Sequence, residues 1–147
     1  MKFSKKIFFV LLFALCFLPK EVLSESGNRI KLTAAEQKEI ENTLIENAKK
    51  LNQNLPIMLD PDTRFDTALA VGMEILYKYT MVNLTADSID SEIFRAYLQS
   101  NIIKSQKADK GAMLLLKVGV ACNYSYFDKN GILITKFKVD GAMCEIK

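Results

Sequence analysis

Apolar residues recur along this chain with two different periods, and the switches between them mark out its elements. After Thr33, the residues Ile40, Leu44, Ala48 and Leu51 follow at helical spacing, with Glu39, Glu41, Glu46, Lys49 and Lys50 on the remaining surface. Thr33-Ala34-Ala35-Glu36 matches a capping box, in which Thr33 caps the helix and Glu36 reaches back to it. The spacing predicts a helix over 34–52, ended by Asn54 and Pro56. A turn around Asp60-Pro61-Asp62 follows, and the period then falls to two. Phe65, Thr67, Leu69 and Val71 alternate with Arg64, Asp66, Ala68 and Ala70, although the Ala-rich centre also suits a helix. Beyond Gly72, Met73, Ile75, Tyr77, Tyr79 and Met81 alternate with Glu74, Leu76, Lys78, Thr80 and Val82, the pattern of a half-buried strand rich in aromatics.

Between Asp87 and Lys104 the helical period returns. Asp90 stands where a cap belongs, and Ile93, Phe94, Tyr97, Leu98 and Ile102 form one apolar stripe. Asp109 caps a further short helix through Leu116, ending near Gly119. The clearest hairpin signal is Val118–Phe127 and Ile132–Val139 around Asp128-Lys129-Asn130-Gly131, where Asn-Gly supplies the positive φ angles of a tight reversal. With Phe127 opposite Ile132, Cys122 lies opposite Phe137. One face then holds Val120, Cys122, Tyr124, Tyr126, Leu133, Phe137 and Val139, and the other Asn123, Ser125, Lys136 and Lys138.

Cys144 constrains the tail. If Asp140-Gly141 made another tight hairpin, Cys144 would stand opposite Phe137, two strands from Cys122 and roughly 9–10 Å away. A disulfide needs Cα atoms within about 7 Å. Either the tail forms no third meander strand or the bridge does not form. The preferred arrangement is a tail folded over the inner face and stapled at Cys122.

The start of the chain obeys neither period. Lys2, Lys5 and Lys6 precede an almost unbroken apolar run from Ile7 to Leu18, closed by Pro19 and Lys20. Val22-Leu23-Ser24 then presents small or tolerated residues at the positions a signal peptidase reads. That order predicts a secretory signal over 1–24, cleaved after Ser24 or Ser26. A flexible entry segment over 25–32 and one domain over 33–147 follow. The apolar run is about a dozen residues, against the roughly 20 that span a bilayer, which disfavours a retained anchor. Leu15 occupies the place before Cys16 where lipoprotein signals put a small residue, which disfavours a lipid anchor.

Removing that segment changes the charge. The full chain has 20 Lys+Arg and 17 Asp+Glu; the leader takes four Lys and one Glu with it and leaves 16 of each sign. The domain is neutral, so nothing in its charge points to nucleic acid, to an anionic membrane or to stable membrane insertion after cleavage. About 123 residues remain, one ordinary domain. Three cysteines become two, Cys122 and Cys144, and an even pair in an exported chain reads as a disulfide.

Candidate chemistry is mostly excluded. The chain contains no histidine, which removes the commonest general base, the usual triads and most transition-metal sites. Gly-rich phosphate loops and CxxC are missing too. Asp60, Asp62 and Asp66 can be drawn as a calcium loop, but the central Gly and distal bidentate Glu of such a loop are lacking, so no metal is expected. Paired carboxylates hydrolyse glycosides without histidine, which brings in Asp66 and Glu74; both fall on the polar face beside Arg64 and Lys78, where cross-strand ion pairing is the simpler role. Tyr77, Tyr79, Tyr124 and Tyr126 resemble a stacking platform, yet alternation assigns them to the core. The strip Lys78, Thr80, Asn123, Ser125, Lys136 and Lys138 is the candidate partner-binding face.

Leu55-Pro56, Asp60, Asp62-Thr63-Arg64-Phe65-Asp66, Gly72, Tyr77-Lys78-Tyr79-Thr80, Gly119-Val120, Tyr124-Ser125-Tyr126-Phe127-Asp128, Gly131 and Cys144 together carry a family likeness. Over its last two thirds the chain resembles a loose group of small exported Gram-negative proteins. The resemblance implies an α+β layer arrangement, cystatin-like or NTF2-like, and no established activity. In that group the partner of the terminal cysteine lies near the end of a helix, around Ser105 to Lys107. Here that stretch has none, and Cys122 stands on the strand instead.

The fold expected is α+β: an N-terminal helix packed on an antiparallel sheet of about four strands, with one or two helices inserted between the strand pairs. The function expected is non-catalytic and free of cofactors: a periplasmic or secreted protein that binds, or helps assemble, another envelope protein. A small secreted inhibitor or immunity-type protein is the second reading, and a hydrolase using Asp66 and Glu74 the third.

Overall fold

The capping box starts the first helix where the sequence places it. The computed structural model describes residues 29–146; the expected signal over 1–24, the beginning of the entry segment and Lys147 lie outside the described residues. Ile30 donates its N–H to the Lys117 carbonyl at 2.9 Å, and Ile30 and Leu32 pack against the core. Helix α1 (Ala34–Asn52) follows. The Thr33 hydroxyl accepts the Glu36 N–H at 3.3 Å, and the Glu36 carboxylate accepts the Thr33 N–H at 2.7 Å. Ile40, Leu44 and Ala48 form its buried stripe. At its last turn the Asn52 side chain accepts the Ala68 N–H at 2.9 Å and donates to the Ala68 carbonyl at 2.7 Å. It thereby satisfies a strand edge that would otherwise be an open template for pairing.

The sheet has five strands in chain order: β1 (Ile57–Met58), β2 (Thr63–Val71), β3 (Glu74–Met81), β4 (Ala121–Asp128) and β5 (Leu133–Val139). The expected four gain a short fifth because Ile57 and Met58 pair with Phe65 and Arg64. Between β3 and β4 the chain crosses through a 3-10 turn (Ala86–Ser88), α2 (Ser91–Ala108) and α3 (Lys110–Lys117). This crossover corrects the wholly antiparallel expectation: β3 and β4 run parallel, the other neighbours antiparallel. Strands joined by a tight turn must run antiparallel, whereas a helical crossover carries the chain back to the end at which the previous strand began. Asp90 and Asp109 cap the two helices as the sequence predicts, each carboxylate accepting two backbone N–H groups.

Two bulges overturn faces that simple alternation assigns. In β2, Phe65 pairs with Tyr79 but Thr67 with Lys78, so Asp66 is an extra residue. Phe65 therefore points inward together with Ala68 and Ala70, while Leu69 and Val71 turn out to solvent, 56% and 58% exposed. The small alanines lie beneath α1, which packs on β2. In β5, Phe127 pairs with Leu133 but Tyr126 with Thr135, so Ile134 is extra. Cys122 consequently lies opposite Val139, not Phe137, and Leu133 is exposed instead of buried. A bulge places two residues opposite one and reverses which face the following side chains take.

Inward side chains of four strands meet as an aromatic layer. Phe65 stacks on Tyr79 at 4.9 Å, Tyr79 on Tyr126 at 4.8 Å, and Tyr124 on Phe137 at 5.4 Å, with the Phe94 ring edge-on to Tyr126. Tyr79, Tyr124 and Tyr126 are buried, as the core assignment requires. Gln106, itself buried, donates to the Tyr124 hydroxyl at 2.8 Å.

The β4–β5 turn is held from within by Asp128, whose Oδ1 accepts the Asn130 and Ile132 N–H groups, both at 2.8 Å. Its Oδ2 accepts the Ala86 N–H at 3.0 Å and ties the turn to the crossover. Burial alone would raise the Asp128 pKa, but the N–H donors of Ile132, Ala86 and Asn130 together outweigh it and leave the pKa lowered. A depressed carboxyl stabilises the fold above its unfolded pKa, and that contribution is lost as pH falls through the folded value. Asp128→Ala should therefore lower the melting temperature by several degrees at neutral pH, and the gap from wild type should shrink in acid. A gap independent of pH would show that the carboxylate charge contributes nothing.

Candidate partner interface

Helices α1 and α2 pack on β2 and β5, and their buried stripes join the inward residues of the sheet in one core. Among the described residues the opposite face of the sheet carries no helix. Strand register arranges it in rows. Leu69, Leu76, Asn123 and Lys138 stand side by side across β2 to β5; the next row is Thr67, Lys78, Ser125 and Lys136; the next contains Thr80, Phe127 and Leu133.

The six residues of the expected partner-binding strip therefore share this face. Lys78, Lys136 and Lys138 are exposed, and Asn123 and Ser125 half-buried. Thr80 is the exception, since it is buried and its hydroxyl donates to Asp66 at 2.5 Å. Lys138 and Glu74 form an ion pair at 2.7 Å, and Asn123 donates to the same carboxylate at 3.0 Å. The Lys138 ammonium and the Asn123 amide hold the Glu74 carboxyl below its usual range, and Glu74 in turn raises Lys138. The Lys78 ammonium lies over the Phe127 ring, 4.9 Å from its centroid.

The structure does not bring Asp66 and Glu74 together. Asp66 pairs with Arg64 at 2.5 Å and takes the Thr80 hydroxyl, at the far end of β3 from Glu74. Six residues of strand separate Thr80 from Glu74, about 20 Å, against the roughly 5–9.5 Å between glycosidase carboxylates. Asp60 is likewise engaged locally, its Oδ1 accepting the Asp62 and Thr63 N–H groups. No group of three His, Cys, Asp or Glu among the described residues is placed to hold a metal. Nor is any described helix long and apolar enough to cross a membrane.

Alternation concealed Leu69, Val71 and Leu133 on this face, because the bulges of β2 and β5 reverse them. Leu69, Val71 and Leu76 form an exposed cluster at the β2–β3 end, and Leu133 with half-buried Phe127 forms another at the β4–β5 turn. The signal available was Ala68 and Ala70, residues too small to cover a sheet face unless a helix approaches closely.

Cys122 and Cys144 are both buried, and both are free thiols in this structure, not the bridge expected from the sequence. The tail itself goes where expected: it forms turns, not a strand, and carries Cys144 into the same buried core cluster as Cys122.

No family model and no curated protein matches this sequence. Three solved structures do match the fold. One is a protein described as secreted from Pseudomonas aeruginosa, at TM-score 0.61 and 18% identity over 77% of this chain and 99% of that one. Another is the pilotin EpsS of the Vibrio vulnificus type 2 secretion system, at TM-score 0.63 and 15% identity over 78% and 100%. The third is the type II secretion system pilotin AspS from Vibrio cholerae, at TM-score 0.59 and 22% identity over 76% and 97%. This chain shares their fold. The likeness spans nearly the whole of each neighbour.

Proposed function

We propose that this chain is a non-catalytic exported protein that binds another envelope protein and helps it assemble, a pilotin-like role in a type 2 secretion machine or a close analogue. The observation that carries this reading is the fold held in common with two pilotins over nearly their full length. Independent support comes from the predicted export signal, the neutral domain and the lack of histidine. The uncovered sheet face supplies a surface for the partner.

Crosslinking in cells of a copy tagged after Lys147, followed by mass spectrometry, should capture one dominant envelope protein. Capture of an enzyme whose activity falls on binding would replace assembly with inhibition. If nothing rises above background, stable partnership is wrong.

A further inference from the structure

We propose that the open sheet face docks an acidic segment of the partner polypeptide, anchored by apolar contacts at both ends; this rests on the partner-binding reading above. The cations of the face are not equivalent. Lys138 is matched by Glu74 and Arg64 by Asp66. Among the described residues Lys78 and Lys136 have no carboxylate partner, and they flank Ser125 in one row. Two strand spacings separate them, about 10 Å. Small, half-buried Ser125 leaves a saddle between two positive side chains.

On either side of that row lies exposed apolar surface. Exposed Leu69 and Leu76 precede it, and half-buried Phe127 with exposed Leu133 follows it on the opposite diagonal. Leu76 and Phe127 are four strand positions apart, about 13 Å. A path from one apolar pair to the other thus crosses Ser125 between two cations that have no carboxylate partner among the described residues. The complementary ligand has apolar side chains at both ends and carboxylates between them.

A polypeptide fits this better than a polyanion. Two cations without carboxylate partners in a neutral domain provide little for a phosphate backbone, which is bound by many Lys and Arg and released by salt. Apolar ends with a charged centre are the anatomy of a protein contact, in which opposite charges fix register and suppress wrong partners.

The test places a photoreactive phenylalanine analogue at Leu76, at Leu133 or, as a control, at exposed Ile93 on α2. Crosslinking is carried out in cells expressing the full exported chain, and the captured peptides are sequenced. Positions 76 and 133 should both capture one peptide of net negative charge with apolar flanks. Combined Lys78→Glu and Lys136→Glu should reduce that capture by roughly tenfold or more, since juxtaposed like charges cost several kcal/mol. Export level should stay unchanged, and the melting temperature should fall no further than the loss of the Lys78–Phe127 contact accounts for. Capture from position 93 alone overturns the sheet-face site while leaving partner binding intact. Silence at all three positions removes both. Capture of a basic segment, of lipid or of a second copy of this chain also overturns the proposal.

Discussion

Replacing Phe65 with alanine should destabilise the domain by about 3–5 kcal/mol, whereas Leu69→Ala should change stability by no more than about 0.5 kcal/mol. Four residues apart on one strand, and both apolar, they would share a face in a regular strand. The bulge at Asp66 separates them. Phe65 is fully buried, stacked on Tyr79 and edge-on to Tyr77 at 5.9 Å, and its removal opens a cavity in the aromatic layer. Leu69 is more than half exposed and belongs to the open face. Domains of this size are stable by only about 5–15 kcal/mol, so the Phe65 variant should sit near its unfolding transition. Urea denaturation of both variants decides the matter. Equal losses would mean that β2 runs without its bulge and that Leu69 is core.

The same bulge marks a boundary of what the sequence reveals. Local chemistry was legible wherever a single segment contains both partners of an interaction. The Thr33–Glu36 box, the Asp90 and Asp109 caps and the turn at Gly131 are all of this kind, although only Gly131, not Asn130, takes the positive φ expected there. The alternation of β3 survives because no extra residue interrupts it, and it places Ile75, Tyr79 and Met81 in the core. Register across two strands is different. The extra residue at Asp66 is fixed by Arg64 and by Thr80 on the neighbouring strand, a contact that alternation within β2 cannot encode. Likewise the parallel pairing of β3 with β4 depends on where a crossover of two helices lands. The polar half of the candidate face was readable from Lys78, Ser125 and Lys136. Of its apolar half, Leu76 and Phe127 fall on the outer face by alternation, whereas Leu69, Val71 and Leu133 do not, because a regular strand would bury them.

Cys122 and Cys144 are thiols in this structure; if the chain is exported as proposed, an oxidising compartment should join them, and that bridge should contribute about 3 kcal/mol in the chain-entropy model. Both side chains are buried in the same core cluster, although 22 positions apart in sequence. The tail reverses through bonds from the Cys144 and Ile146 N–H groups to the Gly141 carbonyl, at 3.1 and 2.9 Å. Gly141 permits that path: a Cβ there would meet the Leu116 carbonyl at 3.0 Å. Lys107 then holds Glu145 at 2.9 Å, so the tail is pinned on both sides of Cys144. Burial pushes the Cys122 thiol up to about 11, the bonds to Tyr124 and Gln106 offset only part of that, and Cys144 adds to the rise. The attacking species in thiol–disulfide exchange is the thiolate, so the folded, reduced protein should oxidise slowly. The bridge should form before the core closes, when each cysteine can reach a protein disulfide donor; two thiols lose two protons and two electrons, and the donor becomes a dithiol. Intact mass of the processed chain should then fall short by two hydrogens, and no alkylation should occur in denaturant. A copy lacking residues 1–24 and kept in a reducing cytosol should retain both thiols and resist alkylation until unfolded. Reduction should lower the denaturation midpoint of the exported protein and leave that of a Cys144→Ala variant unmoved. Two free thiols in the exported, unfolded chain would sink the staple and leave the tail held by Lys107 and core packing alone.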